Sequence, residues 1–511
     1  MTAHDDTALR EREHDPRRDP APGSPTAQRA VSAPAVDRLD PRDRTVIGLL
    51  LVAGFVVILN ETAMGVALPV LMAELGVSAA TGQWLTTGFM LTMAVVIPAT
   101  GWVMDRFRTR QIFVAAMSLF TAGTTIAALA PGFGVLLVGR VVQASGTAVM
   151  IPLLMTTVLT LVPPAIRGRT MGTISIVISV APAVGPTISG LVLSQLSWRW
   201  IFLVMLPFAL VALALGVWKV RDVTTPRDAR LDVLSLAMSA VGFGALIYGL
   251  SSIGESAGGH TPVAPWIPIV VGLLALAAFT QRQLRLQRTT GALLDLRVFA
   301  DRSYTVSTVV LVISFMAMFG ALIVLPIFLQ DVLGRGTLQT GLLLLPGGVV
   351  MGALSPLVGR LFDRFGPRPL VTPGAVALSA ALWLLSTFGP GTPAGLVVAV
   401  HTLLSVGLAF MITPLFTSAL GSLRKELYGH GSAIINTVQQ LAGAAGTALF
   451  ITVLSTTIAA RLGEGADPVA ATADGVQGAF MWGGVVSLVA VGASLLVRRP
   501  ATVPGERVAM H

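Results

Sequence analysis

Gly101-Trp-Val-Met-Asp-Arg-Phe107 recurs late in the chain as Gly359-Arg-Leu-Phe-Asp-Arg-Phe365. The shared pattern is Gly-x-x-x-Asp-Arg-Phe, and each copy is followed by a further arginine, Arg110 or Arg368. Each copy closes a long apolar run and opens a basic connection, so the repeat predicts two related halves. Outward from these two points, apolar runs recur from Val46 to Val497. They place spans near 46–70, 81–103, 112–130, 134–161, 171–195, 200–219, 231–252, 265–281, 303–330, 338–361, 370–389, 394–420, 431–459 and 475–497. A bilayer span takes about 20 mostly apolar residues, and about fourteen fit. Composition agrees. The 511 residues are 54% hydrophobic and 12% charged, whereas a soluble domain carries about 25% charged residues. So little charge cannot cover a soluble surface of this size. A soluble enzyme, a nucleic-acid binder and a disordered regulator are excluded together.

Arginines fix the expected sidedness, because Lys and Arg collect in cytoplasmic connections. With the amino terminus inside, the even-to-odd connections hold Arg106, Arg108 and Arg110, then Arg167 and Arg169, then Lys219, Arg221, Arg227 and Arg230, then Arg282, Arg285, Arg288, Arg297 and Arg302, then Arg360, Arg364 and Arg368, then Arg424 and Lys425. The opposite side holds only Arg199, Arg335 and Arg461. The alternation predicts an even span count with both termini cytoplasmic, and the net charge of +9 reads as topology. The chain has no cysteine, so disulfides and thiolate metal sites are absent, and no metal site is expected. Residues 1–44, rich in Arg, Asp and Pro, read as a disordered cytoplasmic tail.

Three further stretches join the loop repeat. The first span carries Leu59-Asn-Glu-Thr-Ala-Met-Gly-Val-Ala-Leu-Pro69, the fourth Gly139-Arg-Val-Val-Gln143, and the fifth Gly185-Pro-Thr-Ile-Ser-Gly190. In this order the chain resembles the major facilitator superfamily over about Val46 to Val497. Within it, the chain resembles the fourteen-helix drug:proton antiporters of the EmrB/QacA and lincomycin-resistance type. Arg108 stands where the loop motif usually has Gly, Ala144 and Ser189 replace further glycines, and Gly65 stands where Asn is common. Asn60 occupies a position where relatives often carry Asp, so the acid here is shifted to Glu61.

The resemblance implies an all-α membrane protein of two pseudo-symmetric six-helix bundles plus two inserted helices. The expected division is a tail at 1–44, an amino-terminal bundle at 45–220, an inserted pair with its linker at 221–301, a carboxy-terminal bundle at 302–497 and a cytoplasmic tail at 498–511. Six-helix halves that rock about a midplane site are a transporter design.

Glu61 is the one acid placed deep inside a span, and a charge at that depth is functional by default. Arg140 falls at a similar depth, and the resemblance gives it a part in proton coupling with Glu61. Asn60, Met64, Gln143, Asn436 and Gln440 are expected to line the substrate cavity. Asn436 and Gln440 lie four apart, on one helix face. Gly101, Asp105, Arg106 and Arg110, with Gly359, Asp363 and Arg364, are expected to gate the cytoplasmic side, Asp105 by facing the amino-terminal end of the thirteenth span. Gly185, Ser189 and Gly190, beside Pro186, offer a small-residue surface expected to meet Gly347, Gly348 and Gly352. By resemblance, Gly185, Pro186 and Gly190 also form the motif of antiporters. His401 reads as a hydrogen-bonded structural histidine.

The function expected is a proton-coupled antiporter that exports lipophilic drugs or antibiotics across the cytoplasmic membrane, and not an enzyme. Its partners are a lipophilic small molecule, protons and the bilayer. It uses no nucleic acid, no ATP and no cofactor beyond the proton gradient, and acts as a monomer. The alternatives are a dedicated exporter of an endogenous metabolite or lipid, and a non-transporting membrane sensor or assembly partner.

Overall fold

The computed structural model describes residues 39–77, 79–223, 226, 231–256, 263–288 and 292–497. Within the helices a few side chains, including those of Pro182 and Pro186, lie outside that description, as do both terminal tails. Fifteen α-helices occur among the described residues: α1 Pro41–Leu75, α2 Ala79–Val96, α3 Thr100–Arg106, α4 Thr109–Ala128, α5 Phe133–Leu161, α6 Arg167–Leu193, α7 Arg199–Lys219, α8 Val233–Ser256, α9 Trp266–Leu286, α10 Arg302–Ile327, α11 Thr337–Phe365, α12 Arg368–Leu385, α13 Ala394–Gly421, α14 Tyr428–Gly463 and α15 Pro468–Ser494. Thirteen segments are long and apolar enough to cross a membrane, and α6, 27 residues long, fills the fifth expected span. The chain is thus a multi-pass membrane protein of about fourteen spans.

Local chemistry sets the ends and breaks. α1 starts inside the stretch read as tail, because the Asp40 carboxylate accepts from Arg42 N at 2.9 Å and Pro41 takes the first helical position. It ends at Gly76, whose φ of 62° suits a residue without a Cβ. The second span is two helices, α2 and α3, joined by a single 3-10 turn at Ile97–Ala99, where Pro98 lacks the N–H a continuous helix needs. Hydropathy reads that span as unbroken, since proline barely lowers an apolar average.

α1 packs on α5, α6 and α7, and α4 on α5 and α7; later in the chain α10 packs on α13, α14 and α15, and α12 on α13 and α15. The two sets use the same close approaches. A methyl on Gly146 of α5 would meet Ala116 O of α4 at 2.3 Å, and one on Gly407 of α13 would meet Leu378 N of α12 at 2.7 Å. Backbones this close require glycine, as in other membrane helix pairs.

α8 and α9 form a hairpin, and α8 touches both α2 and α14. Its two members are tied by Arg282, which donates to both Asp232 oxygens at 2.8 and 3.0 Å. The Arg282 bonds, with help from Ser235, hold the Asp232 carboxyl well below its ordinary range, at about 2.

Across the molecule α6 runs against α11. The expected surfaces are not the ones that meet. A methyl on Gly185 would strike Thr62 of α1 at 2.2 Å, Gly190 has nothing within 4 Å, and Gly347 faces His401 and Ser405 of α13. The tight contacts lie toward the other end of α6. There a methyl on Gly359 would reach Gly168 O at 2.2 Å, and one on Gly172 would reach Ser355 O at 2.5 Å. Gly352 does approach α6, where a methyl on it would meet Val180 at 2.7 Å. A run of small residues marks a close approach without naming the helix that approaches.

Candidate functional site

Two groups of residues assemble. The first lies between α1 and α5. Arg140 is 1% exposed, so it does not reach for headgroups. Its guanidinium donates to Gln143 Oε1 at 2.7 Å, Asn60 Oδ1 at 3.3 Å and Leu85 O at 3.4 Å, and stacks over the Phe89 ring at 4.0 Å. Gln143 in turn donates to Thr124 Oγ1 at 2.8 Å. An arginine keeps its charge under all ordinary conditions, and these partners are all neutral. A buried cation needs a counter-charge, and Glu61, one residue from Asn60 on α1, lies within electrostatic reach. It makes no contact with Arg140 at ion-pair distance, and it keeps partial exposure. The geometry holds a fixed positive charge on neutral dipoles, with the partly exposed Glu61 within electrostatic reach.

The residues expected to line a cavity divide. Asn60, Met64, Gln143 and Asn436 are buried. Asn60 and Gln143 are committed to Arg140, and Asn436 Nδ2 donates to Ser432 O within its own helix at 2.8 Å. Gln440 stays partly exposed, with Nε2 3.6 Å from Met93 Sδ across the molecule. On α14 one amide thus donates within its own helix and the other reaches α2. Pairing with the backbone one turn back competes with any outward role for a short polar side chain. His401 is hydrogen-bonded to the Leu344 backbone, as expected of a structural histidine, and its buried Nδ1 has no partner.

The second group lies where α3 and α11 end and α6 and α14 begin. Asp363 accepts from Gly168 N at 2.7 Å and Arg169 N at 2.8 Å, at the amino-terminal end of α6, where free N–H groups and the helix dipole favour an anion. Asp105 Oδ2 lies 3.2 Å from His430 Nε2, on the third residue of α14. Asp105 thus faces the helix end expected of it, but meets a side chain there. The motif glycines sit under these contacts, Gly359 against Gly168 and Gly101 under the imidazole. Arg108, the residue that departs from the pattern, makes an ion pair with Asp222 at 3.7 Å, and Arg110 meets the same acid through its backbone N–H at 3.2 Å. Arg364 is exposed and lies over the Phe365 ring at 5.1 Å. Thr413 of α13 adds a bond to Ser175 of α6 at 2.7 Å. These contacts tie α11 and α13 to α6, and α3 to α14, at the Arg-rich face.

Sequence reasoning missed His430, Thr124, Phe89 and Asp222. One signal would have found His430. α6 and α14 are each entered through a 3-10 turn, Pro164–Ile166 and Lys425–Leu427, and their first residues align as Arg167-Gly-Arg169 and Tyr428-Gly-His430.

Comparison with known proteins follows the same lines. A family model described as Major Facilitator Superfamily matches residues 50–447. The chain is 41% identical over 459 residues, 89% of its length and 96% of the relative's, to the lincomycin resistance protein LmrB of Listeria monocytogenes. It is 39% identical over 457 residues (88% and 95%) to LmrB of Bacillus subtilis. It is 31% identical over 435 residues (81% and 77%) to a multidrug resistance protein B homolog of Mycobacterium tuberculosis. Among solved structures, the human organic anion transporter MFSD10 (TETRAN) superimposes with a TM-score of 0.63 at 15% identity, covering 89% of this chain and 100% of that one. The proton:xylose symporter XylE gives 0.60 at 16%, covering 90% and 96%. At such identities the two structures speak for the fold alone. With the repeated helix packing, the paired loop motifs and a family match across most of its length, the chain belongs to the Major Facilitator Superfamily and is a transporter, not an enzyme.

Proposed function

We propose that the chain is a proton-coupled antiporter that expels lipophilic drugs or antibiotics by alternating access. The observation that carries the coupling is the asymmetry of the first group: Arg140 is buried and fully engaged, while Glu61 beside it remains partly exposed. A proton and a cationic substrate compete for that carboxylate, and the fixed charge of Arg140 biases the outcome as the helices move. The relatives' names, lincomycin resistance and multidrug resistance, support drugs as the substrate class. In this reading the Arg-rich face is cytoplasmic, both termini lie inside, and the membrane is the cytoplasmic one. The monomer suffices, and the gradient supplies the energy without ATP or a cofactor. Gly101, Asp105 and Arg106, with Gly359, Asp363 and Arg364, close the cytoplasmic gate. Arg110 contributes through the Asp222 contact. Gly185 seats α6 on α1; Gly190 completes the motif, and for Pro186 only the helical backbone is described.

The test is efflux from proteoliposomes under an imposed proton gradient. Glu61→Gln keeps the shape of the protonated acid but releases no proton. It is expected to lose more than about tenfold of gradient-driven efflux while still binding a neutral substrate. Glu61→Asp should retain partial activity at a shifted pH optimum. Wild-type, gradient-driven rates in Glu61→Gln would move the coupling role to another residue.

A further inference from the structure

His430 is a buried titratable group that the exchange at Glu61 does not use. It is 6% exposed, and its Nδ1 is buried without a partner. Its Nε2 faces Asp105. A connector runs close by: a methyl on Gly101 would meet both His430 Nδ1 and Leu293 O, and Leu293 N and Leu294 N donate to Gln283 Oε1 of α9 at 2.8 and 3.2 Å. Gln283 also donates to Ser235 of α8 at 2.7 Å, so the inserted hairpin holds this connector in place. Beyond the two leucines, Asp295 lies within electrostatic reach of the imidazole. The charged and titratable groups around the ring are Asp105, with Arg106 next in the chain, from α3; Asp295 and its partner Arg297 from the connector; and Tyr304 from α10, whose hydroxyl donates to Gly431 O at 2.9 Å. One carboxylate, Asp105, contacts the imidazole; the second, Asp295, is held by Arg297 and lies within electrostatic reach.

We propose that His430 is a titrating latch: doubly protonated, it holds Asp105 as an ion pair and keeps the Arg-rich face closed, and loss of that proton frees the face to open. The inference rests on the alternating-access reading above. A neutral imidazole gives Asp105 at most one hydrogen bond from an uncharged donor. An imidazolium gives a charge-assisted bond, roughly twice as strong. Histidine is the side chain whose ordinary titration falls between about pH 5 and 8. The matching contact, Asp363 on two backbone amides of α6, has donors that do not titrate in that range. A pH response of closure thus belongs to the Asp105 side alone. A protonated latch keeps this face shut while substrate leaves on the opposite side, and loss of the proton lets the face reopen and the cycle reset.

The chain has no cysteine, so spin labels can be placed at Arg221→Cys and Arg424→Cys, two exposed positions on the Arg-rich face, in the full-length protein in nanodiscs. The short-distance population is expected to rise about threefold or more from about pH 8.5 to about pH 5.5. His430→Gln should flatten that rise, and Asp105→Asn should flatten it by removing the acceptor, which tests the idea even if His430→Gln does not fold. Asp363→Asn should lower the short-distance population at both pH values and leave the rise intact. His401→Gln and Glu61→Gln should also preserve it. A wild-type rise in folded His430→Gln or Asp105→Asn overturns the latch, and so does loss of the rise in Glu61→Gln, which would assign the proton to that site. If wild-type protein shows the rise but no gradient-driven drug efflux, the export reading fails and the latch stands.

Discussion

Asp105 and Asp363 occupy the same place in two copies of one motif, yet they are held differently. Asp363 accepts two backbone N–H groups at 2.7 and 2.8 Å, while Asp105 meets one imidazole nitrogen at 3.2 Å. The glycines beneath them differ in kind as well. Gly359 lies against the backbone of Gly168, and Gly101 against the side chain of His430. A repeated motif repeats its own chemistry but not its partner's. On one side the partner is a helix terminus, a fixed donor; on the other it is a group whose charge depends on pH.

The comparison can be broken first at the glycines. Gly359→Ala sets a methyl 2.2 Å from Gly168 O, and two backbones cannot both give way, so export is expected to fall more than about tenfold, an overpacking effect of about 1–3 kcal/mol. Gly101→Ala meets Nδ1 of His430 at 2.6 Å, and a side chain can shift, so the loss should be only about threefold. Efflux rates at matched expression check both, and equal losses would erase the distinction.

Next in size is Asp363→Ala. It removes two charge-assisted bonds, worth about 1.5–3 kcal/mol each when shielded. Water reaches this face and offsets part of that, so the closed state should lose about 1–2 kcal/mol, read from the spin-label distance populations. A smaller effect is expected of Asp105→Asn, about threefold in export, and less again of Arg108→Gly. The Arg108–Asp222 pair has side chains 61% and 38% exposed, and exposed pairs contribute little. If Arg108→Gly proves the more damaging of the two, the departure from the motif carries the gate.

Asp232→Asn should have the smallest consequence. It loosens α8 from α9, and a fall of about 2–4 °C in the thermal midpoint is expected. Because Arg282 depresses the Asp232 carboxyl from 3.8 to about 2, its stabilisation is complete above the ordinary value and is lost as pH falls through about 2. The midpoint difference between wild type and Asp232→Asn should therefore shrink on acidification.

A second pair sharpens the same lesson. Arg140 and His401 are each the eighth residue of their helices, α5 and α13. The glycines six residues later, Gly146 and Gly407, pack alike. Arg140 is surrounded by amides, a carbonyl and a ring, whereas His401 lies on Gly347 with Nδ1 unpartnered. Gln143 has no counterpart, since Leu404 stands at the matching place. Helix packing repeats across the molecule; the polar network around Arg140 does not.

Some of this was legible in the chain. The number and approximate limits of the spans, the paired loop motifs, the exceptional depth of Glu61 and Arg140, and the membership implied by four motifs in order all follow from hydropathy, charge placement and residue order. Those properties are local: about 20 residues decide whether a segment crosses a bilayer. What only the tertiary structure decided is who meets whom. Gly185 rests on α1 and not on α11, Asn60 and Gln143 are spent on Arg140, and the carboxylate of Asp105 finds His430, 325 residues away. Hydropathy fixes the depth of a side chain, because burial in the bilayer depends on position along the helix axis. It leaves open the rotation of each helix and the identity of its neighbours, and hydrogen bonds of about 3 Å depend on both.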